Sequence, residues 1–155
     1  MYAFDNSPLS ALFRNYYRKR FPSLWDRFDR LVADGRLIST REVKREIDNC
    51  SIADLRAWAD ATPHIFTTPT AAEGAAVAQI YAVQHFQQNI EQQKFLKGGI
   101  LADPFVIAKA MVDGLTVVTM ELFKPNAAKI PNICQHFNVR CLTLEDFMAA
   151  EGWKF

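Results

Sequence analysis

The stretch "LADPFVIAKAMVDGLTVVT", Leu101 to Thr119, decides the fold. From Leu101 to Ala110 it is almost wholly apolar, yet Asp103 and Pro104 stand at its head. An early proline and the length before Gly114 favour a helix, because proline's missing N–H costs nothing in a first turn. Apolar residues nearly all round mark that helix as buried. "LTVVT" is a short β-branched run and reads as a buried parallel strand.

Working outward towards the N-terminus, "YAFD" (Tyr2 to Asp5) reads as a first strand running into an Asn-Ser-Pro turn. Ser7 and Pro8 supply an N-cap and first helical position for "PLSALFRNYY", which "RKRFP" breaks. In "SLWDRFDRLVADG" Leu24, Phe28, Leu31 and Val32 share a helical face before the closing Gly35. "RLIS" is a second short strand, and "STREVKREIDNC" a helix with Val43 and Ile47 one turn apart. "IADLRAWADA" and "AAEGAAVAQIYAVQHF" are further helices, and "HIFTTP" between them is a strand or a loop. "QQNIEQQKFLKGG", within the segment Gln84 to Gly99, is a polar helix or an insertion before a double glycine. Towards the C-terminus, "VRCLT" is a last strand and "LEDFMAAEGW" a terminal helix. The aromatics of "EGWKF" are left to pack on the sheet edge or to bind a partner.

Short apolar strands alternating with helices imply a three-layer α/β/α fold about a mainly parallel sheet. The 155 residues are the size of one domain, spanning 1–155. A 50% hydrophobic and 23% charged composition supports a sizeable core and argues against global disorder. A net charge of +1 excludes a strongly basic nucleic-acid wrapper but leaves room for a local basic patch. No apolar run reaches the roughly 20 residues of a membrane span, and "MYAFDNSP" does not read as a secretory leader. The expectation is a soluble, cytoplasmic protein without a membrane partner.

Open parallel sheets place their sites beyond the carboxyl ends of the strands, and acids recur there. Asp5 ends the first strand, Glu121 follows "TVVT" closely, and Asp103 heads the helix leading into that strand. The helix after "RLIS" carries Glu42 and Glu46 one turn apart. Ser39 and Glu42 have the spacing of a capping box, which gives Glu42 a structural task and leaves Glu46 as the site acid. Taken singly, each acid also reads as a cap, a turn residue or a solvated loop acid. Taken together, converging carboxylates repel one another until a divalent cation joins them, and hard oxygen donors select Mg²⁺ or Mn²⁺. Such a cation polarises a phosphodiester and activates an attacking water.

Four quoted motifs carry a resemblance over nearly the whole chain. Asp5 in "YAFDNS", Glu46 in "VKREI", Asp103 in "LADPFVIAKA" and Glu121 in "VVTME" stand in the order of the acidic motifs of PIN domains. The chain resembles the compact, toxin-related bacterial PIN-like group. It departs from that pattern at Glu121, where aspartate is usual, and in a longer segment from Gln84 to Gly99. The resemblance implies a Mg²⁺- or Mn²⁺-dependent endoribonuclease with Asp5, Glu46, Asp103 and Glu121 as metal ligands and catalytic acids. It also implies RNA as substrate, an antitoxin protein as partner and a homodimer. Rival readings are a catalytically inactive binding module on the same fold and a nuclease acting on DNA.

Two further stretches bear on substrate. "RNYYRKRF" sets Arg14, Arg18, Lys19 and Arg20 around Tyr16 and Tyr17, so that cations hold phosphates while rings stack on bases, or else it is a solvated helix end. "FKPNAAKIPN" follows Glu121 and offers Lys124, Asn126 and Lys129 for phosphate contact, or else forms a rigid proline loop. Cys134, His136 and Cys141 lack the paired short spacing of a four-ligand zinc site, so buried thiols are expected instead. His64, His85 and His136 have no nucleophile partner in a recognisable motif, and the scattered glycines form no phosphate-binding loop.

Overall fold

The computed structural model describes the backbone at residues 1–96 and 99–155 and the side chains at residues 1–92 and 99–155. Among these residues the chain forms a three-layer α/β/α fold about a five-stranded, all-parallel sheet. The strands are β1 (Tyr2–Phe4), β2 (Leu37–Thr40), β3 (Phe66–Thr67), β4 (Thr116–Val118) and β5 (Cys141–Leu142), in the order β3-β2-β1-β4-β5. Helices α1 (Asn6–Asn15) and α2 (Pro22–Ala33) connect β1 to β2, and α3 (Arg41–Asp48) and α4 (Ala53–Ala61) connect β2 to β3. Three more, α5 (Ala71–Ala82), α6 (Gln87–Leu96) and α7 (Ala102–Asp113), return the chain to β4. Helix α8 (Ile130–His136) joins β4 to β5, and α9 (Leu144–Ala150) follows β5. The chain first builds outward from β1 through β2 to β3, then crosses back to add β4 on the other side of β1. The topological switch therefore lies between β1 and β4, the position at whose carboxyl edge open parallel sheets place their sites.

Strand alternation explains the two faces of β1. Tyr2 and Phe4 point one way and Ala3 the other, and all three are buried. Phe147 of α9 meets the Tyr2 and Phe4 rings edge-on, at 4.8 and 5.1 Å. The nearly all-apolar reading of α7 has its cause in position: the helix packs against β1, β2 and β4 and against α3, α5 and α8. Val106, Ile107, Ala108 and Ala110 are accordingly buried. Gly114 ends α7 in a left-handed conformation (φ 66°), a geometry that favours glycine. The reading of this stretch as a buried helix feeding a parallel strand holds.

Several local expectations are corrected. Asp5, not Ser7, caps α1, because the helix begins at Asn6 and Oδ2 of Asp5 accepts the Ser7 amide at 3.4 Å. The Ser39–Glu42 capping box does not form. β2 runs on through Thr40, so Ser39 lies inside the sheet, where its hydroxyl donates to the Phe4 carbonyl at 2.7 Å. Thr40 caps α3 instead, accepting the Val43 amide at 3.3 Å. A reciprocal capping box does form at Thr70 and Glu73, at the start of α5. "HIFTTP" contributes the short β3, and α8 occupies sequence read only as a loop and its tail. The segment from Gln84 holds a 3-10 turn and α6; its Lys97-Gly98 step lies outside the described residues. Among the described residues no helix is long and apolar enough to cross a membrane.

Candidate active site at the carboxyl edge of the sheet

Asp5 emerges directly from β1, its amide donating to the Val118 carbonyl of β4 at 3.0 Å. Its carboxylate is 2% exposed. Oδ2 accepts the Ser7 hydroxyl at 2.6 Å and the Thr119 hydroxyl at 3.2 Å, besides the capping amide. The same hydroxyls reach onward: Ser7 Oγ accepts the Met120 amide at 3.0 Å and Thr119 Oγ1 the Glu121 amide at 3.2 Å. Asp5 thus ties the ends of β1 and β4 together at the switch point through one oxygen. The other, Oδ1, is buried with no hydrogen-bond partner among the described residues. A buried carboxylate oxygen without a donor is costly, and an ordered water, a ligand or an ion would satisfy it.

Asp103 reaches the same edge by a different route. Helix α7 leads into β4 and so runs antiparallel to it, which puts the first turn of α7 level with the carboxyl ends of the strands. Asp103 sits in that turn, buried, and Leu101 rather than the acid occupies the N-cap. Its Oδ2 accepts Nδ2 of Asn89 at 3.0 Å, and the same nitrogen donates to the Ala128 carbonyl at 3.2 Å. Asn89, on α6, is itself 2% exposed. Burial, and then the negative charge of Asp103, push the Tyr81 phenol well above its ordinary range, which keeps it protonated.

Helix α3 springs straight from the carboxyl end of β2 and carries Glu42 and Glu46, both buried. Oε1 of Glu42 accepts the Arg41 guanidinium at 2.9 and 3.2 Å. Its Oε2 is buried with no hydrogen-bond partner among the described residues. The preference for Glu46 over Glu42 rested on a capping box that is absent, so Glu42 joins the candidate acids. Glu121 is half-buried, and its Oε2 accepts the Ile130 amide at 2.9 Å at the start of α8. Glu121 thus has one oxygen holding a helix end.

Among the described residues no three His, Cys, Asp or Glu side chains gather closely enough to hold a metal ion. The expected four-acid cage of Asp5, Glu46, Asp103 and Glu121 is therefore not closed. Asp5 Oδ1 and Glu42 Oε2 are nonetheless hard carboxylate oxygens, buried and without a hydrogen-bond partner among the described residues, which is the donor chemistry Mg²⁺ or Mn²⁺ takes.

The loop after β4 carries Lys124 and Asn126, both exposed, and the half-buried Lys129 at the foot of α8. Asn132 Nδ2 donates to the Lys124 carbonyl at 2.7 Å, so this loop is pinned beside the edge. Arg14 and Arg18 do not join it. Helix α1 carries the chain about 15 Å away from Asp5. Arg18 is also committed there, bidentate to Asp29 at 2.7 and 3.1 Å and stacked 4.1 Å over the Trp25 ring. The Cys134 and Cys141 thiols share a hydrogen bond that, with burial, pushes Cys134 up and that draws Cys141 down. His136 is exposed and meets the Phe86 ring edge-on, so it joins neither thiol in a zinc set.

Sequence reading overlooked Ser7 and Thr119 as holders of Asp5, and Asn89 as holder of Asp103. Ser7 and Thr119 were visible as hydroxyls flanking a strand-end acid; Asn89, in a polar run, gave no signal. No curated protein and no solved structure matches the chain. A family model matches residues 2–155, and the chain belongs to that family, described as "Domain of unknown function (DUF4411)".

Proposed function

We propose that the protein is a Mg²⁺- or Mn²⁺-dependent endoribonuclease. One observation carries the reading: at the switch point of a parallel sheet, Asp5 holds one carboxylate oxygen buried and, among the described residues, without a donor. Asp103, Glu42 and Glu46 reach the same edge from α7 and α3, and the resemblance to PIN domains adds support from the order of the motifs. Asp5 Oδ1 and Glu42 Oε2 are the candidate ligands, and a bound cation would have to draw further acids towards it, because among the described residues no three gather closely enough to hold one. When bound, such a cation supplies Lewis acidity towards a phosphoryl oxygen. Ser7 and Thr119 fix the Asp5 carboxylate, Asn89 fixes Asp103, and Lys124 and Lys129 attract the phosphate backbone. The toxin role, with an antitoxin partner and a homodimer, is proposed from the PIN resemblance alone.

The test is cleavage of a single-stranded RNA in Mn²⁺ by the wild type and by Asp5→Asn and Asp103→Asn, with circular dichroism as the check on folding. Cleavage by the wild type and its loss in both folded variants is the expected result. No cleavage by the wild type, or undiminished cleavage by both variants, overturns the reading. DNA of the same sequence, run in parallel, separates a ribonuclease from a deoxyribonuclease.

The carboxylate of Glu121 at the start of α8 favours a second reading, an inactive binding module that keeps the fold and uses its acids structurally. Calorimetry discriminates: heat of Mn²⁺ binding that disappears in Asp5→Asn supports the enzyme, and no binding at millimolar Mn²⁺ supports the module.

A further inference from the structure

A cleft of 640 Å³ lies at the end of α1 remote from Asp5, between that helix end, the segment 16–21 and the first turns of α4. Its floor is a set of interlocked rings: Phe13 stands 4.8 Å from Trp25 and 5.4 Å from Trp58. The Trp25 indole N–H donates to the Tyr16 carbonyl at 2.7 Å and fixes the bend that follows α1. Arg18, neutralised by Asp29 and stacked on Trp25, belongs to the wall. Two features of the rim are left unused by the fold. Tyr17 is 65% exposed, and among the described residues Lys19 and Arg20 have no ion-pair partner.

We propose that this cleft binds a nucleotide unit, its base stacked against Tyr17 and Trp58 and its phosphate held by Lys19 and Arg20. Every base offers a π-face, and an aromatic floor beside two exposed cations matches a base joined to an anion. Asp54 of α4 also lines the cleft, which places the phosphate on the Lys19 and Arg20 side of the rim. The unit is one nucleotide of a single-stranded RNA whose other nucleotides extend towards the carboxylate edge, about 15 Å away along α1. That choice of source rests on the nuclease reading, whereas occupancy of the cleft by a nucleotide does not.

Trp25 and Trp58 line the cleft, so intrinsic fluorescence reports its occupation. The full chain is titrated with adenosine 5′-monophosphate, with a short oligoribonucleotide and with an acidic peptide. Saturable quenching by both nucleotide ligands, tighter for the oligonucleotide, is the expected result. Tyr17→Ala weakens oligonucleotide binding by about tenfold. The double variant Lys19→Ala/Arg20→Ala flattens the salt dependence of log K by about 1.4. Equal affinity for the monophosphate and the oligonucleotide keeps the nucleotide site but moves its source to a free nucleotide. Absence of saturable quenching by either, quenching that both variants leave intact, or saturation by the acidic peptide alone overturns the proposal. Asp5→Asn is titrated alongside: binding retained there with cleavage absent from the wild type removes the nuclease reading and leaves the cleft standing.

Discussion

Asp5 divides its work between two oxygens. Oδ2 is saturated by hydroxyls and an amide, which fixes the carboxylate, while Oδ1 is held buried and unspent. Asn89 performs the matching task for Asp103 and, through the Ala128 carbonyl, ties the acid to the loop bearing Lys124 and Lys129. Asn89→Ala removes a donor from two buried acceptors at once. It is expected to cost about 1–3 kcal/mol, read from urea unfolding. On the proposed nuclease reading it would act as a positioning residue, so its loss is also expected to lower kcat with little effect on KM, where a purely structural loss would move neither in the folded fraction. Asp5 was legible because an acid ending a short apolar strand stands out. Asn89 was not, because its meaning depends on where α6 settles against α7, and no periodicity encodes that.

Among the elements, α7 shows how a legible pattern hides one exception. The run of apolar residues announced a buried helix, but Lys109 lies inside it, almost fully buried. Its Nζ stands 3.1 Å from Glu73 of α5 and 2.8 Å from Asp113, and Glu73 Oε2 also accepts the Thr70 amide in the capping box. Lys109→Met would strand the buried Glu73 charge and is expected to destabilise by about 3 kcal/mol. Adding Glu73→Gln, which keeps an oxygen for the Thr70 amide, is expected to restore most of that loss in the same denaturation experiment. If the double variant were no more stable than the single one, the ion pair would not be the cause. The spacing S/T-x-x-E occurs at both Ser39 and Thr70, and only Thr70 makes the box. Strand pairing claims Ser39 first, since β2, paired with β1 through Ile38, goes on to pair Ser39 and Thr40 with Phe66 and Thr67 of β3. A capping signature is thus overruled wherever the preceding strand extends one residue further than expected.

At the scale of the whole molecule, the sheet order brings both ends of the chain to one place. Glu151, just past α9, accepts the Tyr2 hydroxyl at 2.6 Å and the Arg36 guanidinium at 2.6 and 2.9 Å. That network clips the C-terminal helix to the β1 and β2 region, through residues 149 positions apart in sequence. Alternation of strands and helices foretold the layers, but a contact of such separation was invisible until the order β3-β2-β1-β4-β5 existed. Burial alone would raise the Glu151 carboxyl, yet hydrogen bonds from Arg36 and Tyr2 hold it below its ordinary 4.5. Burial, followed by the bond to Glu151, raises the Tyr2 phenol above its ordinary 10.0. The signs fix a window. The Glu151 contribution is fully present above about pH 4.5 and is lost as pH falls through the lowered folded value. The Tyr2 contribution is fully present below about pH 10.0 and is lost as pH rises through the raised folded value. Because Arg36 is 43% exposed, solvent screens the pair, and Glu151→Gln is expected to cost only about 1 kcal/mol at neutral pH. Thermal unfolding across a pH series checks this. The Tm gap between wild type and Glu151→Gln should stay constant through neutral pH and narrow on acidification below about 4.5. A gap that widened in acid would mean that the variant had disturbed something other than this carboxylate.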